Sequence, residues 1–118
     1  MRVLAATSDL FLRSRIAEVA KQTGAEPYFA SGGDEIMKLA AESRAEVVIL
    51  DLSSTEYDPF SLARKLKAAF NPRLFGLFPH IQIELKKKAD QNGFEYVVPN
   101  SSFIANLRRV LLEGAEED

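Results

Sequence analysis

Val47 to Asp58, VVILDLSSTEYD, is the stretch on which the fold turns. Four apolar residues run straight into one carboxylate, Asp51, and a polar loop follows. A continuous apolar run closed by a turn signal is the pattern of a strand covered on both faces. In open parallel sheets, ligands bind beyond the carboxyl ends of such strands. Asp51 is therefore placed where chemistry would sit. The bland alternative is a turn carboxylate capping the Leu52-Ser53-Ser54 loop, and pattern alone leaves both open.

Working outward, apolar segments alternate with segments of helical period. Arg2–Ala6 (RVLAA) is a candidate strand, and Ser8 or Asp9 can cap a helix with Leu12, Ile16, Val19 and Ala20 on one face. Gly24 stops that helix. Glu26–Ala30 (EPYFA) is a short second strand with Pro27 near its start. A second helix spans Asp34 to Ser43, with Ile36, Leu39 and Ala40 inward, and Glu46–Asp51 is the third strand. Pro59 opens a third helix carrying Phe60, Ala63, Leu66 and Phe70. Leu74–Phe78 is the fourth strand, Ile81–Asn92 a fourth helix ended by Gly93, and Glu95–Val98 the fifth strand. Ser101 or Ser102 opens a last helix bearing Phe103, Ile104, Leu107, Val110 and Leu111. Right-handed crossovers between parallel strands put helices on both faces, so the expected architecture is a doubly wound α/β sandwich. Rossmann-like and flavodoxin-like strand orders both fit this pattern.

The 118 residues suit one domain spanning 1–118, with 113–118 (EGAEED) an acidic tail expected to fray. No apolar run approaches the roughly 20 residues that span a bilayer, so no membrane role is expected. The net charge of −2 argues against nucleic acid as a partner. Without cysteine there are no disulfides, thiolate zinc sites or cysteine nucleophiles, which fits a cytoplasmic protein.

Other candidate chemistry is weak. Gly32-Gly33-Asp34 leads into a helix but lacks the G-x-G-x-x-G spacing of a dinucleotide site. His80 is the only histidine, and Ser53 and Ser54 lie in no nucleophile elbow, which leaves His80 as an exposed loop residue. Tyr57 and Tyr96 fit partly buried packing positions. Lys86-Lys87-Lys88 is a solvated helix face, or with Arg108 and Arg109 a basic docking face.

The element order, with an aspartate ending the third strand, resembles the receiver domain of two-component response regulators. The resemblance runs from Arg2 to about Leu112. Gly33-Asp34-Glu35 is similar to the family's G-E-E opening of its second helix. Asp58 falls where the family has the aspartate of its M-D-G loop, with Pro59 in place of glycine. LKKKADQNGFEYVVPNSSF, Leu85 to Phe103, is similar to the segment from the family's fourth to fifth helix. The flavodoxin-like order 2-1-3-4-5 is what this resemblance implies.

Receivers hold Mg²⁺ with two acids after the first strand and an acceptor aspartate, and they neutralise phosphoryl charge with that metal and a lysine. Carried over residue by residue, the acceptor matches Asp51. The acid pair falls on the neutral Thr7 and Ser8, the switch threonine on Phe78, and the lysine on Asn100. The switch aromatic falls on Val97, or with a slip of one residue on Tyr96. One carboxylate would remain of three, held by Thr7, Ser8 and nearby amides, with Phe78 crowding the phosphoryl space. A phosphoryl group on Asp51 would add about two negative charges with little to offset them.

The resemblance therefore implies a pseudo-receiver: a non-enzymatic, phosphorylation-independent interaction module for a signalling protein or histidine kinase, needing no cofactor. Its partner face would be the fourth helix, fifth strand and fifth helix, with Lys87, Lys88, Tyr96, Ile104 and Arg108, and homodimerisation would use the same face. The alternative is a working receiver that takes Mg²⁺ and is phosphorylated on Asp51 by a histidine kinase. A weaker alternative is a flavodoxin-like small-ligand domain, against which the lack of a glycine-rich loop after the first strand counts.

Overall fold

A computed structural model describes residues 1–79 and 82–117, with side chains to 113. His80, Ile81 and Asp118 lie outside the described residues, and with them the expectation for His80. The order of elements is β1 Arg2–Ala6, α1 Leu10–Thr23, β2 Glu26–Ala30, α2 Gly33–Ser43, β3 Val47–Asp51, α3 Pro59–Ala69, β4 Arg73–Phe78, α4 Ile83–Gln91, β5 Tyr96–Pro99 and α5 Phe103–Glu117. All neighbouring strands are parallel, in the order β2-β1-β3-β4-β5. This is the flavodoxin-like solution among the two that the pattern allowed.

Local chemistry explains most boundaries. Asp9, and not Ser8, caps α1, its Oδ1 accepting from the amides of Phe11 at 3.0 Å and Leu12 at 3.2 Å. Gly24 ends the helix at φ 75°, a left-handed conformation that glycine adopts without strain. Asp58 caps α3 from the amides of Phe60 and Ser61, with Pro59 at the first helical position. Two departures occur at the carboxy-terminal end. A 3₁₀ turn, Asn100–Ser102, precedes α5, which begins at Phe103 where the sequence suggested Ser101 or Ser102. The α5 backbone also stays helical to Glu117, through most of the stretch expected to fray; the buried Val110 and Leu111 anchor the turns just before it.

Period-two alternation along the strands builds two core layers. Leu4, Ala6, Val48, Leu50, Leu74 and Phe78 face α2, α3 and α4, where Ile36, Ala40, Leu62, Leu66 and Ala89 close the layer. Val3, Ala5, Val47, Ile49, Phe75 and Leu77 face α1 and α5 and meet Ile16, Val19, Phe103 and Leu107. Gly76 lets the sheet approach Leu52 and Phe94, since a Cβ there would lie 3.0 Å from a side-chain carbon of each. Among the described residues, no helix is long and apolar enough to cross a membrane.

Candidate functional site

The carboxyl ends of β1 and β3 and the segment after β3 surround a small polar pocket of about 110 Å³. Its lining comes from the end of β1 and the residues after it (Ala6, Thr7, Ser8 and Asp9), from Ser31 after β2, and from Asp51, Ser54, Glu56 and Tyr57 at and after the end of β3. The structure thus brings together Asp51, Thr7 and Ser8 as the resemblance implied, but their bonding differs from expectation. Asp51 Oδ1 accepts from the amide of Ser53 at 2.9 Å and from its hydroxyl at 2.8 Å, with no bond from Thr7 or Ser8. The reason is local: a carboxylate at a strand end is best met by donors two residues on. Thr7 Oγ1 instead accepts from the Asp9 amide at 3.1 Å, and the Ser8 hydroxyl donates to Glu56 Oε1 at 2.8 Å.

The carboxylate count also changes. Asp9 and Glu56 join Asp51 in the lining, so three acids border the pocket where the sequence suggested one. Glu56 was missed because the motif places acids after the first strand, whereas this one arrives from the loop after the third. Both added acids are engaged, Asp9 as a helix cap and Glu56 with Ser8. Among the described residues, no three acidic or histidine side chains are grouped to share a metal ion, so the residues present do not fit the Mg²⁺ cage of receivers.

No lysine or arginine is among the residues lining the pocket. Arg13, also missed from the sequence, approaches from α1. Its Nε donates to the Thr7 carbonyl at 2.5 Å and its Nη2 to Ser31 Oγ at 3.0 Å, and the guanidinium lies 5.5 Å from the centre of the Phe29 ring. Those bonds fix it at the side of the crevice rather than in it.

Tyr57 is the third residue that sequence reasoning undervalued. Its hydroxyl donates to the Ala6 carbonyl at 2.7 Å and accepts from the Asp51 amide at 2.8 Å. Burial pushes its pKa far above the ordinary 10.0, and the Asp51 charge adds to the rise while the amide bond opposes it. The only available signal was an aromatic residue with a polar tip inside a loop of small polar residues.

Phe78 and Asn100 do not line this pocket. The Phe78 ring is 2% exposed and lies in the core layer under α2, α3 and α4, so it fills the interior rather than the phosphoryl space. Asn100 borders a separate groove of about 290 Å³ with Asp9, Phe11, Leu12, Arg15, Ser101, Phe103 and Ile104. Tyr96 stacks on Phe75 with ring centres 5.4 Å apart, and Phe75 meets Phe103 edge-on, so Tyr96 belongs to the α1–α5 layer. Val97 packs against the opposite layer.

The basic residues of α4 and α5 have separate neighbours. Lys88 Nζ sits 4.5 Å from the centre of the Phe60 ring on α3, a cation–π contact. Arg108 donates to Gln22 on α1 at 3.0 Å. Ile104 lines the groove between α1 and α5. Lys87 is exposed. At the start of α1, Leu10 and Phe11 are 77% and 70% exposed, and Phe11 lines that same groove.

No protein-family model matches the chain, and no curated protein matches it by sequence. Solved structures do match in shape. The signal receiver domain of a DNA-binding response regulator from Colwellia psychrerythraea superposes with a TM-score of 0.87 at 16% identity, covering 98% of each chain. Chemotaxis protein CheY4 of Vibrio cholerae gives 0.83 at 18% identity, covering 95% of this chain and 96% of the other. A Francisella response-regulator receiver domain gives 0.81 at 21%, covering 97% and 98%. The chain therefore has the receiver fold over essentially its whole length.

Proposed function

We propose that this receiver-fold chain is a signalling module that works by binding a protein partner, with no phosphoryl transfer to Asp51. The observation that carries this reading is the pocket lining: three carboxylates, two neutral hydroxyls at Thr7 and Ser8, and no lysine or arginine. A phosphoryl group on Asp51 would bring about two further negative charges beside Asp9 and Glu56. Nothing in the lining offers the positive charge that makes such a group stable in a site of this kind. The module is not an enzyme in this reading, takes no cofactor and acts in the cytoplasm. The exposed Leu10 and Phe11, rimmed by Arg15, supply an apolar contact surface suited to a partner segment with apolar and acidic residues.

A working receiver, phosphorylated on Asp51 by a histidine kinase, is the second reading. It is favoured by one observation, that Asp51 is part of an open pocket with two other acids. Incubation with a small acyl phosphate and Mg²⁺, followed by intact-mass measurement, separates the two. The partner-binding reading expects no phosphoryl adduct on the wild-type chain. An adduct lost in Asp51→Asn would sink it.

A further inference from the structure

The segment between β3 and α3 has a role that neither reading uses. β1 and β3 pair from Val3 with Val47 to Ala6 with Leu50. The next rung of a parallel ladder would join the Asp51 amide to the Ala6 carbonyl. Instead the Tyr57 hydroxyl stands between them, bonded to both. The sheet opens at that rung, and the chain that opens it belongs to the loop.

That loop is anchored at its two ends and, between them, at Tyr57, whose ring packs against the core layer under α2, α3 and α4. Leu52 is 4% exposed against the core, and Pro59 and Phe60 are buried at the start of α3. From 53 to 58 the residues are exposed or half-buried, and the other side-chain bonds are made within the segment or to its ends. Its bonds to the chain at and after the end of β1 are Tyr57 to Ala6 and Glu56 to Ser8. Apart from Tyr57 the segment has no residue packed into the core, and a segment held at one such point can open locally below the global unfolding energy.

Glu56 and Tyr57 also line a second cavity, about 290 Å³, with Gly33, Asp34, Ser61 and Lys65 on its far side. One thin segment thus separates that cavity from the Asp51 pocket. We propose that residues 53–58 form a hinged strap, latched by Tyr57 on Ala6 and Asp51 and by Glu56 on Ser8, whose release joins the two cavities and frees the Asp51 amide. This is a switch at the end of the sheet that needs no phosphoryl group, and it stands or falls separately from the acyl-phosphate result.

Amide hydrogen exchange followed by NMR tests it, on the wild-type chain and on Tyr57→Phe, Ser8→Ala and Tyr28→Phe. Tyr57→Phe keeps the ring and removes the latch, so the Asp51 amide should exchange about tenfold faster or more, while Leu4 and Ile49 in the adjoining ladder stay unchanged. A soluble paramagnetic agent should then broaden the Asp51 amide in Tyr57→Phe more than in wild type. Ser8→Ala should speed exchange within residues 54–57 alone. Tyr28→Phe is the control, because that hydroxyl bonds only the exposed Glu26, and should leave Asp51 unchanged. Unchanged exchange at Asp51 in Tyr57→Phe, or an equal rise at Leu4 and Ile49, would overturn the strap. Should Tyr57→Phe loosen the whole fold, unchanged exchange in Ser8→Ala would overturn it as well.

Discussion

Asp51 and Ser53 are joined twice, the single oxygen Oδ1 accepting from the Ser53 amide at 2.9 Å and from its hydroxyl at 2.8 Å. An asparagine carries the same oxygen in the same place. Asp51→Asn should therefore keep both bonds, weakened because the acceptor loses its charge, and change stability by less than about 1 kcal/mol. Partner affinity should also stay within about twofold, because the side chain is nearly isosteric and its pocket is unused in the proposed role. Urea unfolding and titration of the purified partner check the two halves.

The buried ring of Phe78 gives the opposite expectation. It is 2% exposed within the layer that holds Leu4, Leu50 and Leu62. Phe78→Thr removes apolar volume and leaves a hydroxyl without an assigned partner, which should cost roughly 2–4 kcal/mol. Denaturant midpoints of the variant and the wild type, compared at constant slope, measure it.

Tyr57 makes stability depend on alkaline pH. Its folded-state pKa lies above the 10.0 of an unfolded tyrosine, mainly because of burial. The neutral phenol therefore contributes fully below pH 10, and that contribution is lost as the pH rises toward the folded-state value. The limiting slope is about 1.4 kcal/mol per pH unit. Unfolding free energies between pH 9 and 11 should fall more steeply for wild type than for Tyr57→Phe; parallel curves would remove Tyr57 as the cause.

Gly76 tests the close approach beneath the loop after β3. A Cβ there would lie 3.0 Å from Leu52 Cδ1 and from Phe94 Cδ2. Both neighbours are buried, so neither side chain can simply swing into solvent. Gly76→Ala should destabilise by roughly 1–3 kcal/mol through overpacking, measured by thermal or urea unfolding.

Lys88 on α4 and Arg108 on α5 are engaged by different neighbours, the Phe60 ring and the Gln22 side chain respectively. One partner docked on a single face should then feel only one of the two charge reversals. Titrating the partner against Lys88→Glu and Arg108→Glu should show a salt-dependent loss of affinity for one variant at most. Equal losses in both would place the two residues on one partner face, as the sequence suggested.

The linear pattern sufficed for the parts of this protein that rest on local physics. Apolar runs such as VVIL, the helix stop at Gly24 and Pro59 at the start of α3 encode strands and helix ends, because burial, left-handed φ and a fixed proline φ act over a few residues. The strand order came from the resemblance, and the parallel sheet realises it. The site was legible only at Asp51, Thr7 and Ser8, which adjoin strand ends. Glu56 reaches Ser8 across 48 positions and Tyr57 reaches Ala6 across 51. Whether a loop acid or phenol folds back onto a distant strand depends on the tertiary path of the chain. Residue spacing carries no such information. For the same reason the contacts of Lys88 with Phe60 and of Arg108 with Gln22 were not legible in the sequence. Helix rotation and packing against α3 and α1 decide which way each long side chain turns.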